Sequence, residues 1–355
     1  MPNLKALVLS GGKGTRLRPL TFTLAKQLIP LANKPVLGYV LDQVAETDIN
    51  QVAIIVAPET GQYVKDYVKD GTEWEFNVTY LPQEPLGLAH AVKTAEAFLG
   101  EENFIMCLGD NMQGEGLSAY VQKFKKEKMD ALILLKPVDD PTKFGVATLD
   151  DKANIIELVE KPKNPQSNLA IVGTYLFSNN IFKAISRIKP SGRGELEITD
   201  AIQEMINMGF KVKAEILDSW WLDTGKKDDV LSANSKMLDE TIQKDVKGKL
   251  TNSKVDGRVK IELDVNIVNS KIRGPSIIGK GVTIENSYIG PYTSIGDNST
   301  ILNSTLECCV ILENVTITDV ERLEESLIGK NAKVTRNKRS GSLRLHIGDY
   351  SEVET

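Results

Sequence analysis

The chain is 355 residues long, 41% hydrophobic and 26% charged, with 43 basic against 48 acidic side chains and a formal net charge of -5. No apolar run is long enough to span a bilayer, and the acidic balance excludes generic nucleic-acid binding, which needs a concentrated basic face. Three cysteines, Cys107, Cys308 and Cys309, make neither a disulfide framework nor a zinc site, and an N-terminus without a secretory pattern makes the cytoplasm the expected compartment for a chain of about two or three domains.

Leu4 to Leu9 is a short apolar run, as in a parallel strand buried on both faces and ending at a ligand crevice. It leads into Leu9-Ser10-Gly11-Gly12-Lys13-Gly14-Thr15-Arg16-Leu17-Arg18-Pro19. Glycines there permit a sharp turn with N–H groups facing an anion, and Arg16 offers a planar fork for phosphate oxygens. The segment is no Walker A loop, and Leu17 stands where a dinucleotide fingerprint requires a third glycine. An ordinary strand-to-helix turn is the other reading. Lys26-Gln27-Leu28-Ile29-Pro30-Leu31-Ala32-Asn33-Lys34-Pro35 then sets a lysine and an amide ahead of two prolines, and Val36 to Val44 has amphipathic spacing.

Val52 to Ala57, Phe104 to Leu108, Ala131 to Leu135 and Ile171 to Phe177 read as strands, alternating with helical spacing over Gly61 to Lys69, Leu88 to Leu99, Leu117 to Lys128 and Ile198 to Met208. The alternation predicts an α/β domain with a mostly parallel sheet and a crevice beyond the carboxyl ends of its strands. Asp110 follows one such strand in Cys107-Leu108-Gly109-Asp110-Asn111, and Asp223 lies in Trp220-Trp221-Leu222-Asp223-Thr224-Gly225. Two carboxylates so placed suit one magnesium ion, which takes oxygen ligands and bridges phosphates; turn or helix capping is the alternative for Asp110. His90, inside the helix that starts near Leu88, reads as structural rather than as a general base.

From about Asp245 the composition shifts to Val, Ile, Asn, Ser and Gly. Apolar residues fall at Ile261, Ile267, Ile272, Ile278, Ile284, Ile289, Ile295, Ile301, Leu306, Ile311 and Ile317, in steps of five or six. Small or β-branched residues stand two places earlier, among them Val259, Ser270, Ser287, Ser304 and Cys309. This hexapeptide ladder predicts a left-handed parallel β-helix with a coil of 17 residues, a loop at Asp319 to Glu325, and a resumed ladder at Ser326/Ile328 and Ala332/Val334. Cys309, on the ladder, is expected in the core. β-Helices also serve acyltransferases that use a histidine, but His90 and His346 both lie outside the repeats, which favours an assembly role. Ser340 to Thr355 is expected to cap the β-helix or pack against the preceding domain.

The glycine loop and the Lys26 segment together resemble the signature of the sugar-phosphate nucleotidyltransferases, G-G-x-G-T-R-L-x-P followed by K-x-x-x-P and K-P. Gly109-Asp110-Asn111 and Trp221-Leu222-Asp223-Thr224-Gly225 are similar to that family's metal-binding segments, and Leu81-Pro82-Gln83-Glu84-Pro85-Leu86-Gly87 to its base-recognition loop. Phe144-Gly145-Val146, Glu160-Lys161-Pro162, Ile171 to Tyr175 and Arg193 to Asp200 resemble its sugar-phosphate half. The resemblance, with the long, β-helix-bearing thymidylyltransferases as nearest subgroup, implies a Rossmann-like nucleotidyltransferase domain over 1–240, a β-helix over 241–339 and a tail over 340–355.

It further implies a nucleotide cradle of Leu9, Gly11, Gly12, Gly14, Thr15 and Gln27, with Gln83 and Gly87 on the base. Arg16, Lys26, Lys161 and Arg193 become the catalytic cations, Gly145, Glu160, Ile171 and Tyr175 the sugar contacts, and Asp110 and Asp223 the magnesium ligands. Each also has a plain structural reading: Tyr175 as core, Lys161 as a surface charge, Gln83 as a polar loop residue. The implied substrates are dTTP, or UTP, and glucose 1-phosphate, and the implied assembly is a homo-oligomer. UTP-using or broad-specificity transfer is one alternative and a non-catalytic regulatory homologue another; intact Arg16, Lys26, Asp110 and Asp223 speak against the second.

Overall fold

The computed structural model describes residues 4–336 and 345–354. The chain divides into two compact units, Met1–Lys13 with Leu37–Asp223, and Gly14–Val36 with Thr224–Thr355.

In the first unit, β1 (Lys5–Ser10), β2 (Gln51–Val56), β3 (Asn77–Pro82) and β4 (Phe104–Leu108) form the parallel half of a nine-stranded sheet, in the order β4-β1-β2-β3. β1, β2 and β4 are apolar nearly throughout and buried on both faces, as inner parallel strands must be. Asn77–Pro82 alternates between exposed and half-buried positions, the pattern of an edge, and polar alternation hid it from the sequence. After β5 (Asn111–Gln113) come β6 (Ala131–Pro137), β7 (Gly145–Leu149), β8 (Ile155–Glu160), β9 (Leu169–Phe177), β10 (Val212–Ile216) and β11 (Trp221–Asp223).

The sheet is mixed. β9 runs antiparallel to β4, β6 and β7, and β8 lies antiparallel beyond β7. Serving three neighbours, β9 slips register between Ile171 and Tyr175. Gly173 sits within that slip because a methyl group there would stand 2.8 Å from the Leu108 side chain. Helices α1 (Val36–Ala45), α2 (Gly61–Val68), α3 (Leu88–Thr94), α4 (Ser118–Glu127) and α5 (Ile198–Asn207) accompany the sheet. The single helix expected over Leu88–Leu99 is two, because the chain turns at Ala95, whose N–H is shared among the carbonyls of Ala91, Val92 and Lys93. The core joins Phe104 and Phe177, with centroids 5.6 Å apart, to the inner face of α5 at Ile198, Ala201, Ile202 and Met205.

In the second unit α6 (Lys227–Thr241) leads into short strands that stack in parallel on three faces of seven, seven and five strands. The expected Ile row fills the interior, fully buried from Ile261 to Ile317. The small residues of the ladder have a polar duty: Ser270, Ser287 and Ser304 each donate to the carbonyl two residues back and accept the N–H of the next coil. A buried hydroxyl with both bonds made carries no desolvation penalty, which a larger apolar residue would avoid only by opening the coil. At one corner Asn252, Asn269, Asn286 and Asn303 take positive φ, as Asn tolerates better than most residues, and pass side-chain hydrogen bonds from coil to coil at a spacing of 17 residues.

The loop expected at Asp319 to Glu325 is instead part of the coil. Leu323–Glu324 pairs with Leu306–Glu307, and Val320 and Leu323 are fully buried. One extra residue between ladder and row positions hid the repeat. Cys309 is fully buried, and burial pushes its thiol up to about 12.

Gly14–Val36 belongs with this second unit for polar reasons. Buried Asn234 of α6 accepts from the Ala32 N–H at 2.9 Å and the Ser294 hydroxyl at 2.7 Å, and donates to the Tyr292 carbonyl at 3.1 Å. Asn33 donates to the Ile295 carbonyl at 2.8 Å. The grouping cuts across the expected 1–240 segment. At the far end His346–Ile347 and Glu352–Glu354 extend two faces, and Asp349 accepts from the Lys330 N–H at 2.7 Å and the Thr23 hydroxyl at 2.8 Å. Of the expected tail, residues 340–344 and 355 lie outside the described residues.

Candidate active site

Strand order in the first unit reverses at β1: the chain goes from β1 to β2 and β3 on one side, then returns to β4 on the other. A crevice opens beyond the carboxyl ends at such a switch point. Gly11 and Gly12 follow β1 here, Asp110 follows β4, and the Gly109 N–H donates to the Leu9 carbonyl at 2.9 Å. Gly11 borders Gln83, whose Oε1 would stand 3.7 Å from a Cβ at that glycine.

Gln83 is buried just past β3. Its Nε2 donates to the Gly87 carbonyl at 3.3 Å and to His90 Nδ1 at 2.9 Å. Gly87 has φ of 106°, and a side chain there would strike Leu196, whose backbone bonds to Leu86 and Ala89 on either side. The loop is thereby fastened to the segment that begins α5.

Asp110 and Asp223 come together through β5 and β11. These strands pair antiparallel, with Asp223 opposite Asn111. Asn111 links the pair: its Nδ2 donates to Asp110 Oδ1 at 3.3 Å and its Oδ1 accepts from Trp221 Nε1 at 2.9 Å. Among the described residues no cluster of three or more His, Cys, Asp or Glu gathers to form a closed metal cage. Two hard carboxylates on facing strands suit instead a cation that completes its shell from a ligand and water. Asn111 stood in the quoted motif without a role; only the strand pairing reveals one.

A second cluster gathers around β7 and β8. Gly145 faces Glu160 in the strand register, and a methyl group on it would lie within 3.1 Å of Glu160, Ile171 and Thr199 side-chain atoms. Glu160 Oε1 lies 3.2 Å from both Lys161 Nζ and an Arg193 guanidinium nitrogen, and Arg193 also binds buried Glu197 at 2.8 Å. Thr199 is buried with no partner for its hydroxyl among the described residues, and Ser10, at the end of β1, likewise. Tyr175 lies below this cluster in the core, 4% exposed and stacked on Phe177. Burial first, then Glu160, drives its phenol above the ordinary range. Its surroundings match the core reading. Phe144 packs edge-on against Trp221 with ring centroids 5.1 Å apart, joining the two clusters.

In the second unit Gly14 takes φ of 60° and starts the short turn Thr15–Leu17 that holds Arg16 exposed. The Thr21 hydroxyl donates to the Gly14 carbonyl at 2.8 Å, and half-buried Lys26 opens the turn Lys26–Leu28. Gln27 is buried, and its Oε1 has no partner among the described residues.

Residues 5–240 match the nucleotidyl transferase family. Over 355 residues, 99% of each chain, the protein is 44% identical to the glucose-1-phosphate thymidylyltransferase of Streptomyces antibioticus. Over 246 residues, 68% of this chain and 99% of the other, it is 35% identical to a UTP–glucose-1-phosphate uridylyltransferase of Haloferax volcanii. Among solved structures, a Bacillus anthracis protein assigned as a glucose-1-phosphate thymidylyltransferase superposes with a TM-score of 0.63 at 35% identity, covering 68% of this chain and 98% of that one.

Proposed function

The chain belongs to the nucleotidyl transferase family, and from that premise we propose that it transfers a thymidylyl group from dTTP to glucose 1-phosphate, giving dTDP-glucose and pyrophosphate. The observation that carries this most directly is the register of Asp223 opposite Asn111, next to Asp110, at the switch point where the glycine turn leaves β1. An anion-binding turn and a pair of cation-holding carboxylates are what a triphosphate substrate requires.

The phosphate of the sugar is already anionic at neutral pH, so no general base is needed. One of its oxygens attacks the α-phosphorus in line, the bond to the bridging oxygen breaks, and pyrophosphate departs with the electron pair. The protein's part is to position the reactants and neutralise charge. Arg16 and Lys26 meet the triphosphate, with Leu9, Gly11, Gly12, Gly14, Thr15 and Gln27 around it. Lys161 and Arg193 hold the sugar phosphate, and Glu160, paired with both cations, gathers them while taking glucose hydroxyls with the Gly145 and Ile171 backbones. Asp110 and Asp223 would hold a divalent cation, magnesium in this reading, which when bound neutralises phosphate oxygens.

In functional terms residues 1–240 form the catalytic part, 241–339 an assembly module of a homo-oligomer and 340–355 its tail. We assign the enzyme to the cytoplasm. No helix among the described residues is long and apolar enough to cross a membrane. The likeness to a UTP-dependent relative keeps UTP as the second substrate to test.

The test is pyrophosphate release with dTTP, UTP, dCTP, ATP and GTP against glucose 1-phosphate, with magnesium and with chelator. Release with dTTP or UTP and magnesium, lost on chelation, is the expected result. Absence of release with every nucleotide overturns the assignment.

A further inference from the structure

We infer that His90 is a positioning residue for base selection: it fixes the side-chain amide of Gln83 so that only an acceptor faces the base. The inference rests on the proposal that Gln83 meets the base of the nucleotide.

A glutamine amide has two donor hydrogens and one acceptor oxygen. In this site both donors are engaged, one by the Gly87 carbonyl at 3.3 Å and one by His90 Nδ1 at 2.9 Å. The carbonyl can only accept, so an amide oxygen turned that way would face another oxygen. With Nε2 held there, His90 Nδ1 is the acceptor and the ring carries its proton on Nε2. His90 itself is anchored in α3, one turn of helix placing its carbonyl against the Thr94 hydroxyl at 2.9 Å. The Gln83 Oε1 accepts nothing among the described residues and points to the Gly11 side of the loop.

In the same loop the Gly87 N–H donates to no group among the described residues, so a base that meets Gln83 is offered that acceptor and, from the loop backbone, a donor. An acceptor next to a donor complements an edge with an N–H next to a carbonyl. Thymine and uracil offer that edge at N3–H. Cytosine held in the same register sets a bare N3 against Gln83 Oε1, lone pair against lone pair, and is accepted there only if the amide of Gln83 turns over. The Gly87 carbonyl, which only accepts, sets which way the amide faces, and the shorter contact to His90 holds it in that place. Gly87 alone holds the amide through a long bond.

The experiment compares the dTTP-to-dCTP ratio of kcat/KM in the wild type, in His90→Phe, which fills the space but accepts no hydrogen bond, and in His90→Gln, whose amide oxygen accepts again. His90→Phe is expected to raise the KM for dTTP ~10-fold and narrow the ratio by a similar factor, the loss of one orienting hydrogen bond, with the change in KM rather than kcat. The KM for glucose 1-phosphate should not move, and His90→Gln should restore the ratio. Where His90→Phe lowers the thermal midpoint, His90→Leu takes its place. An unchanged ratio in the folded Phe or Leu variant, or a Gln variant that behaves like Phe, overturns the role of His90. A wild type that uses neither dTTP nor UTP overturns the function itself.

Discussion

A methyl group on Gly14 would stand 2.9 Å from Thr21 Cγ2 and 3.0 Å from Lys26 Cβ, in a backbone with φ of 60°. Gly14→Ala therefore moves the cations as well as straining the turn, and should cut turnover ~10^2-fold in pyrophosphate-release assays, as misplacement by about an ångström does. Gly100 has nearly the same φ, 62°, but open space around it; Gly100→Ala should destabilise by ~1 kcal/mol in denaturant titration and leave turnover intact. Arg16→Ala should lose ~10^2-fold in turnover while staying folded, because it removes charge stabilisation and no packing; near-wild-type turnover would remove Arg16 from the mechanism. Burial pushes the Cys107 and Cys309 thiols up to about 12, so at neutral pH a thiol reagent should label neither until the protein unfolds. The motif residues were legible because each acts within its own short segment. The Gln83–His90 contact was not, since which way an amide faces depends on partners gathered by folding. Tyr175 shows the opposite limit: a motif position whose surroundings are those of a core aromatic.

At the level of elements, the continuous apolar runs of β1, β2 and β4 and the five-to-six-residue ladder could be read directly, because burial on both faces and a repeated coil each leave a period in the sequence. Edge strands with polar alternation, such as Asn77–Pro82, leave a weaker one. α6 also escaped, since its inner face carries Asn234 where an apolar residue would have marked the helix. That asparagine makes three bonds in a fully buried site. Asn234→Ala should destabilise by about 1–3 kcal/mol, because it leaves the Ala32 N–H and the Tyr292 carbonyl unpaired, with the denaturation midpoint as readout. A midpoint equal to wild type would mean that water replaces the amide.

On the scale of the whole molecule, a reading by composition places boundaries where the residue mix changes, and the change near Asp245 is real. It cannot show that residues 14–36 leave the first unit at Lys13 and return only at Leu37. A chain ended after residue 241 loses the Asn33–Ile295 and Thr23–Asp349 bonds. Such a chain should turn over at least ~10-fold more slowly if those bonds hold the Arg16 and Lys26 turns in place; undiminished turnover would mean the segment holds its shape unaided. The same detour sets an order of events during synthesis. Asn33 leaves the ribosome 262 residues ahead of its partner Ile295, a wait of ~10–50 s at ordinary elongation rates of ~5–20 residues per second. The cationic turns are thus made well before the coil that holds the segment beside them.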